Sequence, residues 1–348
     1  MNYFRKSIHE MSGYVPGEQP ALGTKVIKLN SNENPYPPSP KALKVLQEID
    51  PEILRRYPDP TATSFRLAAS QVLGVPSDWI MVGNGSDDLL NLIVRAVGEP
   101  GKQVVCPSPT YVLYRTLAEI QEADFLEIPY PEDYQLPVDL LIAAQGAVTF
   151  VAAPNSPSGT AISVADLEIL AKELSGILVI DEAYVDFAEH NALELTKKYS
   201  NVIVLRTLSK GYSLAGLRLG FGIANPALIA ELNKVKDSYN VDALAYLVAA
   251  AAIADQNHKT ANAEKIKASR EKLAVSFKEL GFAVWPSQGN FLLVRPPKGD
   301  AERLYQTLKQ QGILIRYFNQ PRLEDKLRIT VGTEEQNQIL VGAITKML

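Results

Sequence analysis

Short, almost uniformly apolar segments recur along the first two thirds of the chain, at 79–82, 103–106, 125–128, 148–152, 177–180, 201–205 and 219–224. A strand wetted on one face alternates apolar and polar residues, whereas one covered on both faces does not. These seven therefore predict a mostly parallel sheet with helices on both faces. The amphipathic stretches between them complete an α/β pattern of the doubly wound kind. An apolar helix near 242–255 and a charged helical stretch over 258–280 then lead to strands at 291–295, 312–316 and 327–331, which predict a smaller α+β domain. Residues 1–40 are rich in Pro, Gly and Asn and predict an extended arm with turns, neither helix nor central strand. The expected organisation is an arm (1–40), a large domain (41–260) and a small C-terminal domain (261–348).

With 348 residues, 46% of them hydrophobic and 21% charged, the chain can build a sizeable core. Its 35 basic and 39 acidic residues give a net charge of -4, which argues against a nucleic-acid partner. The single cysteine, Cys106, rules out an internal disulfide framework and fits a reducing cytoplasm. His9, His190 and His258 stand apart, with no ligand spacing, so no metal site is expected. Residues 1–14 lack the apolar centre of a secretory signal, and the apolar run 244–254 is too short to span a bilayer. The expectation is a cytoplasmic protein without a membrane partner.

In open α/β sheets ligands bind beyond the carboxyl ends of the strands, so the residues that follow each strand are informative. After 79–82 comes Gly83-Asn84-Gly85-Ser86-Asp87-Asp88, which opens a helix and can offer backbone N–H groups to a phosphate. The alternative is a simple cap in which Ser86 or Asp87 satisfies the helix start. The missing third glycine excludes a dinucleotide fingerprint. After 103–106, Tyr111 can present a ring at the sheet edge or lie in the core. After 148–152, the turn Ala153-Pro154-Asn155-Ser156-Pro157-Ser158-Gly159 projects the Asn155 amide or is only a turn. Asp181 ends the 177–180 strand, where a carboxylate needs a cationic partner or donors. A protonated heterocyclic nitrogen is one such partner, with Tyr184 near the same ligand; a capping aspartate is the other reading. After 201–205 come Thr207, Ser209 and Lys210, then Arg218, a setting that can desolvate an amine and grip an anion. Five strand ends thus supply an anion cradle, a ring, an amide, a carboxylate and a lysine, the set that pyridoxal phosphate requires.

At these motifs the chain resembles the fold-type I, aspartate-aminotransferase-like enzymes, and among them the histidinol-phosphate aminotransferases. The likeness runs from Gly13-Tyr14-Val15-Pro16-Gly17 and Leu29-Asn30-Ser31-Asn32-Glu33-Asn34-Pro35 through Arg56-Tyr57-Pro58-Asp59, Asp181-Glu182-Ala183-Tyr184 and Ser209-Lys210 to Leu327-Arg328-Ile329-Thr330. It implies the pyridoxal-phosphate-dependent transferase fold, with Lys210 as Schiff-base lysine and proton shuttle. Asp181 would pair with the pyridinium, Asn155 and Tyr184 would bond the ring oxygen, and Tyr111 would stack on the ring. Gly85, Ser86, Asp87, Thr207, Ser209 and Arg218 would bind the phosphate, with Tyr57 reaching it from a second subunit of a homodimer. Arg328, with Arg316, Tyr14 and Asn34, would hold the substrate. The implied reaction is transamination between L-histidinol phosphate and 2-oxoglutarate, giving imidazole-acetol phosphate and L-glutamate. Transamination of aromatic amino acids and decarboxylation of threonine phosphate are the alternatives within the same enzymes. One departure is visible: Ser156 and Ser158 stand where the family usually has asparagine and threonine.

Overall fold

The computed structural model describes residues 3–13, 17–21 and 23–348. All seven expected strands join one sheet. Its order is Ile80–Gly83, Gly220–Ala224, Val202–Thr207, Ile177–Asp181, Val148–Ala152, Gln103–Ser108, Asp124–Pro129. Six run in the same direction, and Gly220–Ala224 runs against both its neighbours. In six strands the apolarity has the expected cause, whereas the edge strand Asp124–Pro129 is partly exposed. Leu178 and Ile180 face a core built with the helices Thr63–Leu73, Val164–Glu173 and Ala243–Ala254, while Val179 between them faces a second core under Ser86–Val97, Leu113–Ile120 and Pro226–Val235. Each such side chain, fully buried, contributes about 1.5–3 kcal/mol.

The carboxyl edge of this sheet is assembled by register. Ala152 lies opposite Asp181, and Asp181 opposite Leu205. Because Gly220–Ala224 is reversed, its first residue reaches this edge, where Gly220 stands between Gly83 and Thr207. The loops after Gly83 and Thr207 therefore meet across a residue with no side chain.

A third core forms around an antiparallel sheet of Arg316–Tyr317, Leu327–Thr330, Phe291–Arg295 and Ala283–Val284. The expected 312–316 strand is divided. Ile313–Leu314 pairs in parallel with Ile27–Lys28 of the arm, and after Ile315 the chain turns so that Arg316–Tyr317 pairs with Leu327–Arg328. Ile313, Leu314 and Ile315 are all buried, so this apolar triplet serves two partners. The arm thus supplies a short strand, and Leu29 joins the small-domain core. It also contains a one-turn helix, Lys6–Glu10, which departs from the all-extended expectation because this stretch is free of the Pro and Gly that dominate its continuation. The 24-residue helix Gln256–Glu279 runs through the expected division at 260/261. Its Ile266 packs with Phe187, and its Leu273 and Phe277 pack in the third core. No helix among the described residues is long and apolar enough to cross a membrane.

Candidate active site

The glycine-rich loop forms a cup. Gly85 adopts φ +84, a conformation that glycine takes without strain, and its N–H bonds Gly83 O at 2.8 Å. Ser86 then opens the helix Ser86–Val97. A Cβ on Gly220 would lie 2.2 Å from Ser86 N, so close approach of backbone requires that glycine, whereas Gly85 is required by its positive φ. The Arg218 guanidinium sits over the cup, held by Asp87 Oδ2 at 3.3 Å. Asp87 Oδ1 accepts from Tyr111 Oη at 3.1 Å, and the Tyr111 ring meets Tyr114 edge-on at 5.7 Å. Across Gly220, Thr207 Oγ1 donates to Ser209 Oγ at 2.9 Å and accepts from Ser209 N at 3.1 Å. A helix N-terminus, a guanidinium and two hydroxyls on one concavity suit a phosphate. Neither Ser86 nor Asp87 caps this helix with its side chain; Asp88 Oδ2 accepts from Asn84 N, ahead of the helix, at 2.9 Å.

One strand further in, Asp181 is buried at 5% exposure. Its Oδ2 accepts from Tyr114 Oη at 2.8 Å and its Oδ1 from Ala183 N at 3.1 Å. Burial pushes its pKa up to about 6, with Asp87 and Glu182 adding, and the Tyr114 and Ala183 bonds only partly offset this. A carboxyl so placed gains strongly from an adjacent cation. Glu182, its neighbour, is already served by Arg206 at 2.8 Å and by Ala192 N.

Lys210 Nζ lies 5.8 Å from the Tyr184 ring centroid and donates to Ser31 O at 3.1 Å. Asn34 Nδ2 donates to Lys210 O at 3.0 Å, and Asn34 Oδ1 accepts from Tyr36 N, so both ends of this amide hold the backbone around the lysine. Asn32 Nδ2 donates to Tyr184 Oη at 2.9 Å, while Thr330 Oγ1 bonds Asn32 and Asn290 Nδ2 donates to Asn32 O. The arm is thereby fastened over the lysine.

Asn155 is fully buried beneath this edge. Its Nδ2 donates to Ser158 Oγ at 2.9 Å and Pro109 O at 3.2 Å, and its Oδ1 accepts from Thr110 Oγ1 at 2.8 Å. Ser156, one of the two departures, accepts from Arg328 Nη1 at 3.3 Å. Arg328 Nη2 donates to Asn30 O at 2.9 Å. Arg316 and Arg328 are direct cross-strand partners, with the Phe318 ring 5.2 Å and 5.5 Å from their guanidinium carbons. Like charges placed opposite each other are unfavourable, and an anion between them relieves the cost.

One described residue of the expected set, Tyr57, stands apart. Tyr57 is 82% exposed and stacks on Tyr239 at 4.7 Å, and Tyr14 lies outside the described residues. Sequence reasoning missed Tyr114, Asn32, Thr330 and Ser31. Ser31, Asn32 and Thr330 lie inside the motifs that carry the resemblance but were given no role, and Tyr114, three residues from Tyr111 in the helix Leu113–Ile120, was not singled out. Among the described residues no group of three or more His, Cys, Asp or Glu is placed to hold a metal ion.

A family model described as aminotransferase class I and II matches residues 24–344. Histidinol-phosphate aminotransferase 1 of Trichormus variabilis is 66% identical over 347 residues, covering 100% of this chain and 99% of that protein. Histidinol-phosphate aminotransferase 1 of a Nostoc species is 64% identical, covering 100% and 98%. The solved histidinol-phosphate aminotransferase of Sinorhizobium meliloti, in complex with pyridoxal-5'-phosphate, superposes with a TM-score of 0.91 at 27% identity, covering 100% of this chain and 99% of that one.

Proposed function

Because this chain belongs to the class I and II aminotransferases, we infer that it transfers the amino group of L-histidinol phosphate to 2-oxoglutarate. The products are imidazole-acetol phosphate and L-glutamate, in L-histidine biosynthesis. The cofactor is pyridoxal 5'-phosphate. The observation that carries the reading is the placement of the buried Asp181 carboxyl beside a glycine-lined cup, with Lys210 on the adjoining strand end. A carboxyl in want of a cation fits the ring nitrogen, and a helix start at Ser86 beneath the Arg218 guanidinium, with Gly220 leaving the approach free of a side chain, fits the phosphate.

When bound, the cofactor supplies an electron-withdrawing ring conjugated to the substrate amine. Lys210 would hold it through its Nζ amine and, freed when the substrate amine takes that place, would accept the proton of the substrate carbon bearing the amino group. Asp181 keeps the ring nitrogen protonated. Ser86 and Asp87 offer backbone N–H groups to the phosphate, since the Asp87 carboxylate faces Tyr111 and Arg218, and Gly85, whose own N–H is held by Gly83 O, shapes the turn that lets the phosphate approach. Thr207, Ser209 and Arg218 complete that grip, and Tyr111 stacks on the ring. Tyr184 donates to the ring oxygen. Asn155 joins it by trading its 3.2 Å bond to Pro109 for the same oxygen. Arg328 and Arg316, with Tyr14, hold the anionic end of each substrate, while Asn34 serves by fixing the Lys210 backbone.

We further propose a cytoplasmic homodimer, supported by the exposed Tyr57, which would reach the phosphate of the second subunit. The arm and 261–348 would act together against 41–260, with the helix Gln256–Glu279 shared between them. Initial rates with histidinol phosphate and with phenylalanine, each against 2-oxoglutarate, test the substrate. Histidinol phosphate is expected to be strongly preferred, and a preference for phenylalanine would reject it. The purified protein should carry the visible band of a lysine-bound cofactor, and Lys210→Ala should lose it.

A further inference from the structure

At the end of the helix Pro226–Val235, the Lys236 ammonium is surrounded by carbonyl oxygens. Nζ donates to Asp237 O at 2.8 Å, Pro60 O at 3.0 Å and Asn240 Oδ1 at 3.2 Å, with Ser238 O at 3.5 Å. An exposed lysine ordinarily keeps its ammonium in water. Four carbonyl oxygens converging on one point charge instead resemble the setting of a monovalent cation. Burial lowers the pKa of this lysine. A cavity of about 20 Å³, bordered by Asp59, Thr61, Lys236 and Asn240, adjoins it and has room for one water or small ion.

The cage joins two segments that are distant in sequence. Pro60 lies three residues beyond Tyr57, and the 237–240 turn carries Tyr239, on which Tyr57 stacks at 4.7 Å with an interplanar angle of 16°. Asn240 continues the connection, donating to Val82 O at 3.1 Å and to Asp88 Oδ2 at 2.9 Å, the oxygen that also holds Asn84 N in the cup. We propose that Lys236 is a positioning residue for Tyr57: its ammonium is the built-in cation of an oxygen cage that fixes the Tyr57–Tyr239 pair against the subunit's own phosphate cup. The proposal rests on the reading of Tyr57 as a phosphate ligand of the second subunit. Without Lys236 four carbonyl dipoles face one another, and a cation of similar size, potassium or ammonium, takes the vacated place.

The test is the dissociation constant of pyridoxal 5'-phosphate from the full-length dimer, measured for wild type, Lys236→Ala, Tyr57→Phe and the double variant. In tetramethylammonium chloride, Lys236→Ala is expected to bind about tenfold more weakly, the loss of a charged hydrogen-bond set. Potassium or ammonium chloride at equal ionic strength should restore it. The double variant should bind no more weakly than Tyr57→Phe, because both changes act on one contact. Wild-type affinity of Lys236→Ala in tetramethylammonium, absence of rescue, or additive losses would each overturn the proposal while leaving the Tyr57 role standing. Unchanged affinity in Tyr57→Phe would remove the Tyr57 role and the proposal with it. Should Lys236→Ala fail to fold, Lys236→Met, which keeps the apolar stem without the charge, replaces it in the cycle, and wild-type affinity there is again the overturning result.

Discussion

Tyr114 donates its phenolic hydrogen to Asp181 Oδ2 at 2.8 Å, and both side chains are buried at the carboxyl edge of the sheet. The tyrosine is fixed from two sides, stacked on Phe150 at 4.8 Å and edge-on to Tyr111. Burial holds its pKa far above the ordinary value, so it remains a donor at every working pH. It stabilises the ionised form of Asp181, the form needed opposite a protonated ring nitrogen. Tyr114→Phe should raise the Asp181 pKa above about 6, shift the cofactor's spectral pH titration upward and lower kcat about tenfold. An unchanged titration would show that Tyr114 only packs.

Asp181 also predicts the pH dependence of the cofactor-free protein. Its pKa rises from 3.8 to about 6 on folding, so the native state binds the proton more tightly than the unfolded chain. The stability associated with that proton is complete below about 4 and is lost as pH rises through about 6, a change of about 3 kcal/mol. Asp181→Asn lacks this loss. Urea unfolding of both apoproteins should show the variant gaining on wild type by about that amount between pH 4 and pH 7, although it is expected to be inactive. Parallel stability curves would contradict the assignment.

These roles differ in how visible they were in the sequence. Six of the seven sheet strands were legible because both their faces are covered, the edge strand Asp124–Pro129 being apolar but partly exposed. Asp181 and Lys210 were legible because one ends such a strand and the other lies in the loop that follows one. Tyr114 was not, since an aromatic residue inside an amphipathic helix reads as ordinary core until its hydroxyl is seen to reach a carboxylate. Asn32 and Thr330 are 298 residues apart, and no local pattern marks such a pair. The division of 312–316 escaped for the same reason, because the partner of Ile313–Leu314 lies in the arm. Asn155 was found by its position and Asn34 only through the resemblance, as a substrate residue; the structure shows how their amides are engaged.

The opposition of Arg316 and Arg328 predicts a trade between stability and binding. Arg316→Gln removes one of two like charges facing each other, which should stabilise the substrate-free protein by roughly 0.2–1 kcal/mol. The same change removes a partner for the substrate anion, and KM for histidinol phosphate should rise about tenfold with a smaller effect on kcat. Added inorganic phosphate should raise the melting temperature of wild type more than that of the variant. A variant that is both less stable and unchanged in KM would mean that Arg316 is a structural residue.

The exposed Tyr57 gives the sharpest test of a site shared between subunits. Lys210→Ala destroys the site in its own subunit but retains Tyr57 for the other. Tyr57→Ala retains Lys210 but offers the other subunit no phenol. In a mixed dimer the subunit with Tyr57→Ala then has its own lysine and a tyrosine from the Lys210→Ala subunit, so one of the two sites is whole. Random pairing of equal amounts makes half of all dimers mixed, and about a quarter of all sites intact. Unfolding and refolding the two variants together should therefore restore tight cofactor binding to about a quarter of the sites, while each variant refolded alone shows none. If Tyr57 served the site of its own subunit, a mixed dimer would contain no intact site and co-refolding would restore nothing.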